Sequence, residues 1–145
     1  VIGILILMAT SILISIQICK YEKYKIIYCD KMIYLASQVS IFMKSVMPDT
    51  DMIFSYLKNS EKLKDIDIFD INSTSPLNKV ENEKITEYIN SIGKYDAQTQ
   101  IDKSTEFCDS FRLIKKDYQQ FYSTHYKLIY AAGFSFGALI SILLI

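Results

Sequence analysis

All sixteen basic and all sixteen acidic residues of this chain fall between Lys20 and Lys127. A chain with that layout has two uncharged, strongly apolar ends and a charged middle. Residues 1–18, VIGILILMATSILISIQI, reach ~27 Å as a helix at ~1.5 Å per residue, just short of the ~30 Å hydrocarbon core of a bilayer. Thr10, Ser11 and Ser15 are tolerable there because a helical hydroxyl can bond back to its own backbone. Residues 128–145, LIYAAGFSFGALISILLI, would need burial on every face as a soluble core helix, which a chain this small can hardly supply. Both ends are therefore expected to be transmembrane helices. For the first end, a cleaved signal peptide is the competing reading. It lacks a basic n-region and an A-x-A-like cleavage site, and its apolar run is long for an h-region. The chain opens on Val1 rather than Met, and residues missing before it would keep the signal-peptide reading open. In the second end, Gly133 and Gly137 form a G-x-x-x-G, which bares two stretches of backbone on one helix face and lets another helix approach closely.

Two spans put residues 19–127 on one side of the membrane. Lys20, Lys23 and Lys25 flank the first span, and Lys115, Lys116 and Lys127 the second. Lysine close to membrane ends favours the cytoplasmic side, and Glu22, Asp30 and Asp117 weigh little against it. The middle is expected to be cytoplasmic. With a formal charge of zero, no global field would draw in nucleic acid.

Within the middle, Tyr28, Met32, Leu35, Val39, Phe42 and Val46 recur at spacings of four and three, a heptad-like seam. Ile33, Ala36, Ser40, Met43 and Met47 widen the stripe, as a helix packed in a bundle requires. Pro48 ends that helix, and Asp49 or Thr50 can cap the next, expected from Asp51 to about Lys64 with Ile53, Phe54 and Leu57 inside. DIDIFDINSTSP reads as a solvated connection. Its Asp65, Asp67 and Asp70 miss the glycine and glutamate spacings of a calcium loop. A third helix is expected over about Leu77 to Ile92, with Val80, Ile85, Tyr88, Ile89 and Ile92 apolar. Gly93 then sits where a left-handed helix cap belongs, and Asp96 can cap the following helix. Phe107, Phe111, Ile114, Tyr118, Phe121, His125 and Leu128 continue at four and three into the last span. The fold class expected is all-α: an antiparallel bundle of about four helices flanked by the N- and C-terminal transmembrane helices.

Chemistry-bearing motifs are missing. The sequence has no Walker loop, HExxH, G-x-S-x-G or dinucleotide fingerprint. Cys19, Cys29 and Cys108 have no zinc or disulfide spacing and read as reduced, buried thiols. His125 lies on an apolar stripe without a partner Cys or Ser, as a core or interfacial histidine does. Eleven tyrosines and eight phenylalanines fall mostly on helical stripes with no basic groove beside them, which fits packing rather than base stacking. A non-enzyme that needs no cofactor or metal is expected.

The layout resembles stage III sporulation protein AB of spore-forming Firmicutes. SIGKYDAQTQ carries part of that resemblance: the family has a Leu-Gly-x-x-Asp-x-x-x-Gln turn before its last long helix, and Gly93, Asp96 and Gln100 hold the spacing, with Ile92 for the Leu. AAGFSFGALISILLI carries the rest, matching the family's Gly-x-x-x-Gly-Leu terminal span through Gly133 and Gly137. The chain departs from the family at LASQVSIF, where a Leu-Glu-x-Glu-Ile stretch is usual, and at VMPDTDMI, near a usual Pro-Leu. A partner contact made by those glutamates would be changed or lost here. The resemblance implies a subunit of the sporulation channel between mother cell and forespore, similar to the F-type platform of type II secretion. It implies a membrane platform on the mother-cell side that couples a secretion-type ATPase to other membrane subunits. The rival class is a small two-span sensor or adaptor binding a partner through its bundle. A sensor is expected to have an output module after its second span and lysines on the opposite side.

Overall fold

The structure, a computed structural model, describes residues 2–45 and 49–143. The expected seam positions Val46 and Met47, the break at Pro48, and the span ends Val1, Leu144 and Ile145 lie outside the described residues. Among the described residues the chain is helical and contains no strand. The helices are α1 (Ile2–Ser45), α2 (Thr50–Asn59), α3 (Ile71–Thr74), α4 (Lys79–Ser91) and α5 (Ala97–Leu143), with a 3-10 turn at Glu61–Leu63. The two terminal helices run 44 and 47 residues. By its internal contacts the chain divides into two compact units, Val1–Ile26 with Lys116–Ile145, and Ile27–Lys115.

The unit Ile27–Lys115 is built on the predicted seam. Tyr28, Met32, Leu35, Ala36 and Val39 are fully buried, as are Ile53 and Leu57 of α2, Ile85 of α4 and Phe111 of α5. Each large side chain moved out of water contributes about 1.5–3 kcal/mol, so the seam is the main source of this unit's stability. Tyr88, Phe107 and Phe111 stack in series, with ring centroids 4.3 and 4.5 Å apart. Helix α4 starts two residues later than expected, because Asn78 and Glu81 form a capping box: Glu81 N–H donates to Asn78 Oδ1 at 2.9 Å, and Asn78 N–H to Glu81 Oε2 at 3.2 Å. Val80, five residues before Ile85, stands about 140° around the helix from it and is 63 % exposed rather than on the expected stripe.

Three further expectations need correction. Helix α2 stops at Asn59 rather than near Lys64: Ser60 turns extended, its N–H bonds Leu57 O at 3.2 Å, and a 3-10 turn takes over. Asp49 sits at the N-cap, but its side chain makes no capping bond; its carbonyl accepts from Met52 and Ile53. The stretch after it is not a simply solvated connection. Its aspartates point outward, but Leu63, Ile66, Ile68 and Ile71 are buried. Asp67 Oδ1 accepts from the N–H groups of Phe69 (3.0 Å) and Asp70 (3.3 Å), an Asx turn. Buried Asn82 of α4 then fixes the segment, accepting from Ser75 Oγ at 2.5 Å and donating toward Asn72 Oδ1 and Leu77 O. A buried amide with this many partners avoids the penalty of an orphaned polar group.

The other unit is an antiparallel pair. Going up α1 from Met8 to Ser11, Lys23 and Lys25, the residues met on α5 run down from Gly137 to Gly133, Tyr122 and Tyr118. The pair therefore continues past the apolar limits at residues 18 and 128, because the tyrosines and lysine stems keep packing beyond them.

Candidate functional site

Two places bring the sequence-predicted residues into contact. The first is the face of α5 that carries Gly133 and Gly137. Ser11 Oγ donates to Gly133 O at 2.5 Å, a contact between backbone and side chain that needs the helices very close. A Cβ at Gly133 would collide with Ser15 Oγ and stand 3.1 Å from Ser15 Cβ and 3.3 Å from Ser11 O. At Gly137 it would stand 3.2 Å from Ser11 Cβ and 3.4 Å from Met8 Cα. Both glycines thus face the chain's own first helix. Ser141 extends the seam by one turn, buried, with its Oγ donating to Gly137 O at 2.7 Å. Ser11 and Ser15, expected from the sequence only as tolerated hydroxyls, are the small side chains that meet the glycines. Their four-residue spacing matches that of the glycines they meet on α5.

Burial in this unit is reversed relative to a soluble domain. Ser15, Gly137 and Ser141 are buried, while Ile2, Leu5, Ile14, Phe134, Phe136, Leu139 and Ile142 face outward, each more than half exposed. Only 11 % of the most apolar 18-residue window of either helix is buried, and both helices are long and apolar enough to cross a membrane. Water would penalise so much exposed apolar surface, whereas lipid tails accommodate it. The hydroxyls of Thr10, Ser11, Ser15 and Ser141 all donate to backbone carbonyls, as polar groups in a hydrocarbon layer must. The arrangement is compatible with a membrane location.

The second place is the turn between α4 and α5. Gly93 has φ +82°, and a Cβ there would run into the side chain of Thr50, so both backbone and space call for glycine. Asp96 caps α5: its Oδ1 accepts from Thr99 N–H at 3.0 Å and its Oδ2 from Thr99 Oγ1 at 2.6 Å. Those two bonds hold its carboxyl below the usual carboxylate range. Gln100 is fully buried; its Oε1 accepts from Gly93 N–H at 3.2 Å, and its backbone N–H donates to Asp96 O at 2.9 Å. Gln100 O then accepts from Ser104 Oγ at 2.8 Å, and Ser104 Oγ shares a hydrogen with Tyr88 Oη at 2.7 Å. Burial raises the Tyr88 phenol well above its ordinary range. Gly93, Asp96 and Gln100 are thus three parts of one connection: the turn, the cap and the internal tie.

The groups that could do chemistry are engaged or inaccessible. All three cysteines are buried. Burial, with the Glu81 and Asp30 carboxylates adding to it, pushes the Cys29 thiol up to about 12, and burial also raises Cys108, so both are poor nucleophiles at neutral pH. His125 Nδ1 lies 2.9 Å from Phe121 O, and its ring stacks on Phe121 at 4.2 Å between centroids. Among the described residues no three His, Cys, Asp or Glu side chains gather as a metal set. No protein-family model, curated protein or solved structure matches the chain.

Proposed function

We propose that the chain is a non-enzymatic membrane platform: a two-span hairpin carrying a cytoplasmic helical bundle that docks other proteins. The observation that carries the membrane half is the reversed burial of the terminal helices, with Ser and Gly inside and Ile, Leu and Phe outside. A first span retained beside the second, rather than cleaved, is favoured by the contact of Ser11 and Ser15 with Gly133. Lys20, Lys23 and Lys25 after the first span, and Lys115, Lys116 and Lys127 before the second, favour a cytoplasmic middle. In this reading the seam of Tyr28, Met32, Leu35 and Val39 is the centre of an antiparallel bundle.

The specific role is drawn from the resemblance to stage III sporulation protein AB. It rests on the order of the Gly93–Asp96–Gln100 turn and the Gly133–Gly137 span, and both sets have a structural use here. On that reading the platform joins a secretion-type ATPase to the other membrane subunits of the sporulation channel, on the mother-cell side. Affinity purification of the tagged full-length chain from sporulating cells tests it. A secretion-type ATPase or other channel membrane subunits should copurify and should be lost in non-sporulating cells. Recovery of the chain alone, or of the same partners in vegetative cells, would contradict the assignment.

A further inference from the structure

The charge balance of the chain hides a polarity that the division into units reveals. The two-helix unit carries Lys20, Lys23, Lys25, Lys116 and Lys127 against only Glu22 and Asp117, while the other unit is acidic by the same margin. The lysines of the pair are not equivalent. Lys25 is tied to Glu22 at 3.0 Å, both side chains more than four-fifths buried, so that pair is neutral. Lys20, Lys23 and Lys127 are exposed and have no ion pair among the described residues.

Their depth follows from helix geometry. Lys20 and Lys127 sit at the limits of the two apolar runs, and Lys23 lies about 5 Å further out at a rise of ~1.5 Å per residue. A headgroup layer is about 5–7 Å thick on each side of the hydrocarbon core, so the backbone positions of all three lysines fall within it. Lys116 lies about 16 Å beyond Lys127 by the same rise, outside that layer even with its side chain extended. Tyrosines line the same level. Lys23 Nζ stands 5.8 Å from the Tyr122 ring and Lys127 Nζ 5.9 Å from the Tyr126 ring, and the two rings stack 5.6 Å apart. Tyr21 on α1 is half exposed, next in sequence to Lys20. Tyrosine belongs at this depth, with its ring toward the tails and its hydroxyl toward the headgroups. Contact with the ring faces also restricts where the Lys23 and Lys127 stems can go, which leaves those two ammonium groups preorganised for an anion.

We propose that Lys20, Lys23 and Lys127, set among Tyr122 and Tyr126, bind the phosphate groups of anionic lipids and so select an anionic annulus around the hairpin. The inference rests on the membrane reading above. The three lysines add three uncompensated positive charges at one level of the membrane, and zwitterionic headgroups offer no net charge to meet them.

The test uses the full-length chain in phosphatidylcholine nanodiscs holding a trace of spin-labelled phosphatidylglycerol or, separately, spin-labelled phosphatidylcholine. The native chain should immobilise the phosphatidylglycerol label severalfold more than the phosphatidylcholine label, and the preference should shrink in high salt. The triple substitution Lys20→Gln, Lys23→Gln, Lys127→Gln should bring the two labels to parity while Lys116→Gln leaves the preference intact. Parity with the native chain, a preference insensitive to salt, or an equal loss with Lys116→Gln would overturn the proposal. Equal immobilisation of both labels by the native chain defeats the lipid preference alone. Failure to immobilise either label defeats the membrane reading as well.

Discussion

At the residue scale, the Gly93 turn shows how three letters of a short motif, Gly93, Asp96 and Gln100, become three mechanical parts. Gly93 is held at φ +82° against Thr50, so Gly93→Ala combines left-handed strain of about 1–2 kcal/mol with a collision. Thermal unfolding should show Gly93→Ala lowering the midpoint, and adding Thr50→Ala should recover the steric part only. Full recovery would mean that the backbone angle costs nothing. Asp96 supplies a pH signature. Its folded carboxyl is depressed by the Thr99 bonds, so its stabilising effect is present above the ordinary carboxylate pKa and is lost as pH falls through the lower folded value. The stability gap between the native chain and Asp96→Asn should therefore be widest near neutrality and close in acid. A gap that persists unchanged at low pH would show that the carboxylate charge is not what caps α5.

At the scale of elements, the contact between α1 and α5 depends on side chains that are nearly absent. Leucine at Gly133 would project where Ser15 stands, so Gly133→Leu should push the helices apart. Spin labels at the outward Ile14 and Phe136 should show a longer and broader distance distribution in that variant than in the native chain. An unchanged distribution would mean the seam does not set helix separation. Much of this level was legible in the sequence. The four-three spacing of Tyr28 to Val39 marked the core because helix periodicity places those residues on one face, and Gly93 and Asp96 marked helix ends because few other residues suit those positions. The serine half of the seam was not legible, since Ser11 and Ser15 gain meaning only from what stands opposite them. Nor was the burial of Ile66, Ile68 and Ile71, where alternating apolar residues in an aspartate-rich stretch are held by an Asx turn and by Asn82 from the following helix, α4. Val80 misled because it is apolar but lies about 140° around the helix from Ile85, off the buried face.

At the scale of the whole molecule, the central claim is that both ends lie in lipid and the middle in the cytoplasm. Native cysteines are poor reporters of it, since Cys19, Cys29 and Cys108 are all buried. Positions with exposed side chains serve better: Lys79, whose side chain is 89 % exposed, for the middle, and Leu139 on the outer face of the last helix for the span. The most direct measurement is the labelling rate of Lys79→Cys and Leu139→Cys with a membrane-impermeant maleimide, before and after the cells are opened. Lys79→Cys should stay silent in intact cells and react promptly once they are opened, while Leu139→Cys should stay silent until detergent removes the bilayer. Prompt labelling of Lys79→Cys in intact cells, or of Leu139→Cys in opened cells without detergent, would contradict it.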